Sequence, residues 1–150
     1  MFVPKPVQQI IPLVVSLLFI LLFVYAAVSK LLDLETFQAQ LEQFSFFGGF
    51  AYLLSRGIIL LELLIAGLLC FGKTRLLGIY FSFFLMLLFT AYILIILNFA
   101  TNVPCSCGGV LEALGWKEHL MFNVFFIGIA LMGILIGRNR KYHFNYKSTT

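Results

Sequence analysis

Charged side chains are scarce in this sequence. They make up 11% of its 150 residues, less than half of the roughly 25% found in soluble globular domains. The few that occur are bunched between long apolar stretches, and hydrophobic residues account for 62% of the chain. So few charges cannot cover a water-facing surface. The composition therefore excludes an ordinary soluble domain and indicates one that is embedded in a lipid bilayer.

Features of metal sites and of nucleic-acid surfaces are missing as well. Lys and Arg outnumber Asp and Glu by ten to six, but they form no patch with interleaved polar groups, so we predict no nucleic-acid partner. A zinc site needs about four ligands. Near the paired cysteines only Glu112 and His119 could join the two sulfurs. We therefore predict no metal.

Four long apolar runs each approach or exceed the length of about 20 residues that spans a bilayer. They cover approximately residues 10–29, 50–72, 76–100 and 120–137. The runs are continuous and rich in leucine, without the alternation of a membrane β-barrel. We predict an all-α integral membrane protein, a four-transmembrane-helix bundle that forms one domain over residues 1–150. Residues 138–150 are predicted to be a basic cytoplasmic tail.

The basic residues also predict the orientation of the bundle. One arrangement leaves only Lys30, Arg56 and Lys117 on one side and gives the other side seven basic residues: Lys5, Lys73, Arg75, Arg138, Arg140, Lys141 and Lys147. Because basic loops favour the cytoplasm, both termini are expected there. We expect the bacterial inner membrane, with the first and third loops in the periplasm. A cleaved signal peptide is disfavoured because the first run exceeds the usual 7–15 residues.

The first periplasmic loop contains a short amphipathic pattern. Apolar residues recur at helical spacing, with Glu and Gln between them, at Leu34, Phe37, Leu41 and Phe44. Asp33 precedes the pattern and is a suitable N-cap. We therefore predict a short helix that lies at the membrane interface.

Small residues within the runs predict where neighbouring helices approach closely. They stand at Gly57, Ala66, Gly67, Gly128 and Gly133. No internal repeat is evident, and four helices without an inverted repeat do not favour a transporter.

Two of the three cysteines are separated by a single residue, in the segment N-V-P-C-S-C-G-G. Cys70 is expected about 30 Å from them, across the hydrocarbon core, which is too far for a disulfide. In an oxidising compartment a thiol pair rarely stays reduced. A ring closed between Cys105 and Cys107 would be strained, and strained, exposed disulfides are the labile or catalytic ones.

The residues around this pair suit thiol–disulfide exchange. Pro104 stiffens the chain before the cysteines, while Gly108 and Gly109 permit positive φ angles and leave the sulfurs approachable. A structural disulfide that pins the loop is an equally good reading of the same residues. A plain turn with two thiols is the weaker alternative outside the cytoplasm.

Glu62 is the only carboxylate inside a predicted span, and ionisable residues there are functional candidates by default. We place it about 10 Å from the outer end of its helix, where Lys30 can reach toward it. Other polar residues are expected in this outer layer, namely Tyr25, Tyr92, Asn98 and Asn123. His119, at the start of the fourth helix, is a candidate proton relay. Alternatively, Lys30 and Glu62 form a structural ion pair and the tyrosines an interfacial belt.

The sequence resembles the MauE/DoxX-like family of redox-associated four-helix membrane proteins, named after methylamine utilisation. The resemblance rests on V-S-K-L-L-D-L-E-T-F after the first helix, L-L-E-L-L-I-A-G-L-L in the second and F-T-A-Y-I-L in the third. The C-S-C-G-G loop before the last helix is typical of the MauE branch. Gly109 stands where an aromatic residue is expected after the C-x-C-G motif.

This resemblance implies a role in disulfide handling for periplasmic proteins, with methylamine dehydrogenase and its disulfide-rich small subunit as the namesake client. It implies that Cys105 and Cys107 are the redox pair, and it matches Lys30 and Glu62 to polar positions without an assigned role. We expect a thiol–disulfide redox protein with a periplasmic thioredoxin-like or disulfide-containing partner. No cofactor follows from the residues, and a quinone in the bundle is one candidate acceptor. The alternative function is a non-catalytic membrane subunit whose disulfide shapes a docking loop.

Overall fold

The fold is helical throughout the part of the chain that can be described. It comes from a computed structural model, which describes residues 5–42, 48–99 and 116–147. The elements are, in order, α1 (Lys5–Leu32), α2 (Leu34–Glu42), a short 3-10 turn (Gly48–Phe50), α3 (Ala51–Cys70), α4 (Arg75–Phe99) and α5 (Trp116–Lys147).

Four of the five α-helices in the described part of the chain are long and apolar enough to cross a membrane. The candidate spans within them are Ile10–Leu32, Ala51–Cys70, Arg75–Ile95 and Glu118–Arg138. The prediction of four long apolar helices is thereby confirmed. α1 and α5 both continue beyond the apolar runs, since Lys and Arg are good helix formers and a change in hydropathy does not by itself end a helix.

The short helix expected in the first loop is present as α2. The Asp33 carboxylate accepts a hydrogen bond from the backbone N–H of Thr36 at 3.4 Å, as an N-cap does. The Asp33 carbonyl also accepts from the N–H of Phe37 at 3.1 Å. α2 packs against α3, and Leu41 is buried. A location at the membrane interface stays a prediction.

The contacts between the long helices define a ring. α1 packs on α3, α3 on α4, α4 on α5 and α5 on α1, while α1 and α4 also touch across the centre. Val15 and Ile79 both lie beside Gly133, and Lys30 lies beside Phe89, so α1 and α4 run in the same direction. α3 and α5 run the opposite way.

One end of this ring is joined to the paired cysteines. α1 ends there at Leu32, α3 begins at Ala51, α4 ends at Phe99 and α5 begins at Trp116. We call it the cysteine end, because the chain between Phe99 and Trp116 carries the two cysteines. This chain segment lies outside the described residues.

The inside of the bundle is aromatic near its middle. The rings of Phe19 and Phe23 in α1 lie 5.6 Å apart, and Phe126 of α5 meets Phe19 edge-on at 5.4 Å. All three side chains are buried. Large apolar side chains also cover the outside of every span, for example Leu17, Leu64 and Phe84. The bundle therefore needs lipid around it as well as a core within it.

The prediction of close helix contacts at small residues is partly wrong. Gly133 and Ala66 do lie inside the bundle, but a Cβ added at Gly57, Gly67 or Gly128 would meet nothing within 4 Å. Gly133 is a close contact, because an added Cβ would lie 3.0 Å from Val15. The tightest positions are Gly78 and Gly137, where an added Cβ would lie 2.8 Å from Leu69 and from Leu76. Sequence alone does not show which face of an apolar helix turns inward.

Candidate functional site

An ion pair between Lys30 and Glu62 lies inside the bundle. Lys30 Nζ is 2.7 Å from Glu62 Oε1; the Glu62 side chain is fully buried and that of Lys30 is 18% exposed. Side chains lean toward the N-terminus of their own helix. Because α1 and α3 are antiparallel, the two side chains lean toward each other. The contact expected from the sequence is present.

Glu62 lies deeper than its sequence position suggested. α3 begins at Ala51, so Glu62 is about 16 Å along the helix and close to its middle. The estimate of about 10 Å counted from Ser55, which proves to be in the second turn of α3. Lys30 bridges the difference in depth, because it lies near the end of α1 and its long side chain turns back into the bundle.

Aromatic rings surround the lysine ammonium. Lys30 Nζ lies 5.7 Å from the ring centroid of Phe37 in α2 and 5.7 Å from that of Phe89 in α4. Both distances are within the range of cation–π attraction. One ammonium group thus contacts three helices besides its own, since Glu62 belongs to α3.

Two buried polar atoms in this region have no hydrogen-bond partner among the described residues. One is Glu62 Oε2, the carboxylate oxygen that does not bind Lys30. The other is the amide nitrogen of Asn123, on α5, whose side chain is 2% exposed. A buried donor or acceptor that lacks a partner costs roughly 1–3 kcal/mol, so a pair of them calls for an explanation.

Asn123 is at the same depth in the bundle as Phe89. Gly133 of α5 lies against Ile79 of α4, which aligns these two helices. Asn123 and Phe89 are each ten residues from that contact, about 15 Å toward the cysteine end. Since the Lys30 ammonium lies beside Phe89, Asn123 and the ion pair occupy one level. We call Lys30, Glu62 and Asn123 the polar layer.

His119 lies one helical turn closer to the cysteine end than Asn123. Its side chain is half-buried, and it is within electrostatic range of the Lys30 ammonium. The predicted relay residue therefore borders the polar layer. It lies between the polar layer and the start of α5 at the cysteine end.

A family model described as methylamine utilisation protein MauE matches residues 8–136. The chain belongs to the MauE family. The match includes all three polar-layer residues, Cys105 and Cys107. No curated protein and no solved structure gives a significant match. Membership of the MauE family, together with the four spans, establishes a multi-pass membrane protein of a family described for methylamine utilisation.

The other sequence candidates on α4 are not all part of this layer. Tyr92 is half-buried one turn beyond Phe89 and has an interaction partner. Asn98 is exposed, and its amide donates to the Leu94 carbonyl of its own helix at 2.7 Å. Asn98 therefore does not line the inside of the bundle.

The cysteine segment lies outside the described residues. The roles assigned to Pro104, Cys105, Cys107, Gly108 and Gly109 therefore stay predictions. Cys70 is described: it is an exposed, free cysteine at the opposite end of the bundle. Among the described side chains, no group of three His, Cys, Asp or Glu residues could hold a metal ion.

Sequence reasoning missed the two aromatic rings beside the lysine ammonium, those of Phe37 and Phe89. Phe89 carries no sequence signal of its own, because the chain contains 18 phenylalanines. Phe37 was recognised only as part of the apolar face of α2. Asn123 was considered, and its inward-facing, unpartnered amide is what the structure adds.

Proposed function

We propose that this protein is an integral membrane thiol–disulfide redox protein that acts on periplasmic partner proteins through Cys105 and Cys107. The support is the C-S-C-G-G segment, attached at the end of the bundle nearer the polar layer, in a chain of the MauE family. A family described for methylamine utilisation also supports a client in that process. The partner is a periplasmic thioredoxin-like or disulfide-containing protein.

The reaction is an exchange of disulfides. A thiolate of one protein attacks a disulfide sulfur of the other, and a mixed disulfide forms while one thiolate leaves. The second cysteine of the C-x-C pair then attacks the mixed disulfide and releases the partner. Two electrons pass from the protein that ends as a disulfide to the one that ends as a dithiol.

We also propose an orientation of the bundle in the membrane. Both termini and the basic segment 138–150 lie in the cytoplasm, and the cysteine end faces the periplasm of a bacterial inner membrane. The support is the distribution of Lys and Arg, since basic loops favour the cytoplasm. Cys70, at the opposite end, then lies near the cytoplasmic surface.

Thiol labelling in intact cells tests both the topology and the chemistry. We expect an impermeant maleimide to label Cys105 and Cys107 only after mild reduction, and Cys70 only after the cells are opened. Cys70→Ser is the control that removes the second signal. If the pair becomes reduced when partner proteins are supplied as dithiols, the exchange takes place.

A pair that stays oxidised under these conditions would overturn the proposal. Cys105→Ser/Cys107→Ser would then be expected to bind its partner less tightly, as a structural disulfide in a docking loop predicts. A partner complex that is retained in this variant, with exchange lost, supports the redox function instead.

A further inference from the structure

We propose that the end of the bundle opposite the cysteine end binds the headgroup phosphate of an anionic phospholipid, with Arg75 of α4 and Arg138 of α5 as the two cationic groups that hold it. We call this end, defined by Lys73, Arg75 and Arg138, the basic end. None of these residues belongs to the cysteine segment or to the polar layer, so the site stands apart from the proposed function. What carries the proposal is a pair of neighbouring arginines that lie at the limits of two candidate spans and have no ion-pair partner among the described residues.

The two arginines belong to the same level of the bundle. Arg75 begins one candidate span and Arg138 ends another. Their chain neighbours touch, because a Cβ added at Gly137 would lie 2.8 Å from the Leu76 side chain. Each of these spans has 21 residues, which corresponds to about 30 Å, the thickness of the hydrocarbon core. We therefore place both arginines where the hydrocarbon ends and the lipid phosphates begin.

Positive charge at the basic end has no acidic residue to balance it in the described part of the chain. Neither Lys73 nor the two arginines make an ion pair with a described residue. The described acidic residues all lie at the cysteine end or in the polar layer, namely Asp33, Glu35, Glu42, Glu62 and Glu118. Arg140 and Lys141 follow in α5 and add two more positive charges. Clusters of four or more basic residues next to a spanning helix attract anionic lipids, so the bilayer supplies the missing anion.

The Arg75 side chain has a donor without a partner. Its Nε is buried and makes no hydrogen bond to a described residue, although the side chain as a whole is partly exposed. A guanidinium is a planar fork that can donate to two oxygens of one phosphate. A small rotation of this side chain would bring the Nε–H to a phosphate oxygen. Arg138 is exposed on the neighbouring helix and adds a second positive charge beside that phosphate.

Hydrogen bonds fix the turn that leads to Arg75. The Thr74 hydroxyl donates to the Leu68 carbonyl at 2.7 Å, and the Thr74 N–H donates to the Phe71 carbonyl at 3.2 Å. The Thr74 carbonyl accepts from the Gly78 N–H at 2.8 Å. These bonds tie the start of α4 to the end of α3. The backbone at Arg75 is thus already ordered, and a ligand does not have to bear the cost of ordering it.

The surroundings favour a phospholipid over a free phosphate ion. Leu77 and Leu135 are exposed apolar side chains within one helical turn of Arg75 and Arg138, on the side of the hydrocarbon core. A free phosphate would use the positive charges alone. A phospholipid held by the same charges also lays its acyl chains on these apolar side chains.

Native mass spectrometry of the purified protein tests this site. The protein is equilibrated in detergent with equal amounts of phosphatidylglycerol, which is anionic, and phosphatidylcholine, whose phosphate is neutralised by choline. The lipids of each kind that stay bound are then counted. We expect roughly a twentyfold preference for phosphatidylglycerol, about fivefold from each arginine. Arg75→Gln and Arg138→Gln should each lower the preference about fivefold.

Two further variants separate a site from general attraction. Arg56→Gln is the matched control, because Arg56 is an exposed arginine of α3 near the cysteine end, and it should leave the preference unchanged. Arg75→Lys keeps the charge but loses the fork, so its preference should fall between those of the unchanged protein and Arg75→Gln. The melting temperature in phosphatidylcholine alone monitors folding. Arg138→Gln should leave it unchanged, because Arg138 is exposed and makes no ion pair with a described residue.

Each outcome either supports or overturns the lipid site. A preference that is absent, or that Arg56→Gln lowers as much as Arg75→Gln does, overturns it. Inorganic phosphate that displaces phosphatidylglycerol at equal concentration would show that the anion alone is bound, and it would overturn the lipid as the ligand. A preference that survives phosphate and falls only in the variants of the basic end supports the site. It should persist in Cys105→Ser/Cys107→Ser, whatever becomes of the proposed function.

Discussion

Lys30 and Glu62 differ in how well each tolerates the loss of the other. Glu62 is fully buried, whereas Lys30 is 18% exposed and has a long apolar stem that can carry its charge to a surface. Lys30→Met therefore leaves a buried carboxylate without a counter-charge. Glu62→Gln leaves a lysine that can move. The pair is expected to be asymmetric when it is broken.

Breaking this pair provides a stability prediction at the scale of single residues. We expect Lys30→Met to lower the free energy of unfolding by about 3–5 kcal/mol and Glu62→Gln to lower it by less. The double variant Lys30→Met/Glu62→Leu should recover most of the loss, because an apolar pair replaces two desolvated charges. Unfolding by SDS from mixed micelles measures all three. A double variant less stable than Lys30→Met would contradict the assignment of a buried ion pair.

The ion pair could be predicted from sequence and its surroundings could not. A lone carboxylate in an apolar run needs a counter-charge, and Lys30 closes the first span at the same end of the bundle. The rings of Phe37 and Phe89 could not be predicted, because any of 18 phenylalanines could face the ion pair. Asn123 likewise needed the rotation of α5, which depends on packing and not on hydropathy.

At the scale of the helices, the short helix α2 covers the Lys30–Glu62 ion pair. It holds Phe37 against the Lys30 ammonium and packs on α3, and Asp33 caps its first turn. A helix of nine residues is too short to be stable alone in water, so the cap and the packing together hold it in place.

The cap of α2 can be removed without touching the ion pair. Asp33→Ala should cost about 1 kcal/mol of local stability, so amide hydrogen exchange in Leu34–Glu42 should become roughly fivefold faster. Asp33→Asn is the matched control, because asparagine caps equally well. Equal exchange rates in the two variants would show that the cap does not hold α2.

The glycines of the long helices give a second prediction at this scale. Gly78→Ala places a Cβ 2.8 Å from a Leu69 side-chain carbon and 3.2 Å from the Leu69 backbone nitrogen. We expect a loss of about 1–3 kcal/mol from overpacking between α3 and α4. Gly128→Ala is the control, since a Cβ there meets nothing within 4 Å and alanine is the better helix former. Thermal unfolding in detergent should separate them, and equal melting temperatures would contradict the packing of α3 on α4.

Helix existence was predictable and helix ends were less so. Each apolar run is long enough to cross a membrane, and each became a helix. The runs end where polar residues begin, but the backbone has no reason to stop there, and α5 continues to Lys147. Only a cap such as Asp33, or a break such as the turn after Cys70, marks an end in the sequence.

At the scale of the whole molecule, the polar layer lies nearer the cysteine end of the bundle than the opposite end. α4 ends and α5 begins at the cysteine end, and the polar layer lies about 10 Å inside α5 from that end. The described helices therefore hold the polar layer close to the end at which the segment of Cys105 and Cys107 is attached.

Disulfide exchange in the purified protein tests this account most directly. Cys70→Ser leaves Cys105 and Cys107 as the only cysteines, and their disulfide is mixed with a thioredoxin-like protein in its dithiol form. We predict one partner disulfide formed for every two thiols gained on Cys105 and Cys107, and no exchange in a variant that also carries Cys105→Ser/Cys107→Ser. A Cys105–Cys107 pair that stays oxidised while the partner stays reduced would contradict the account.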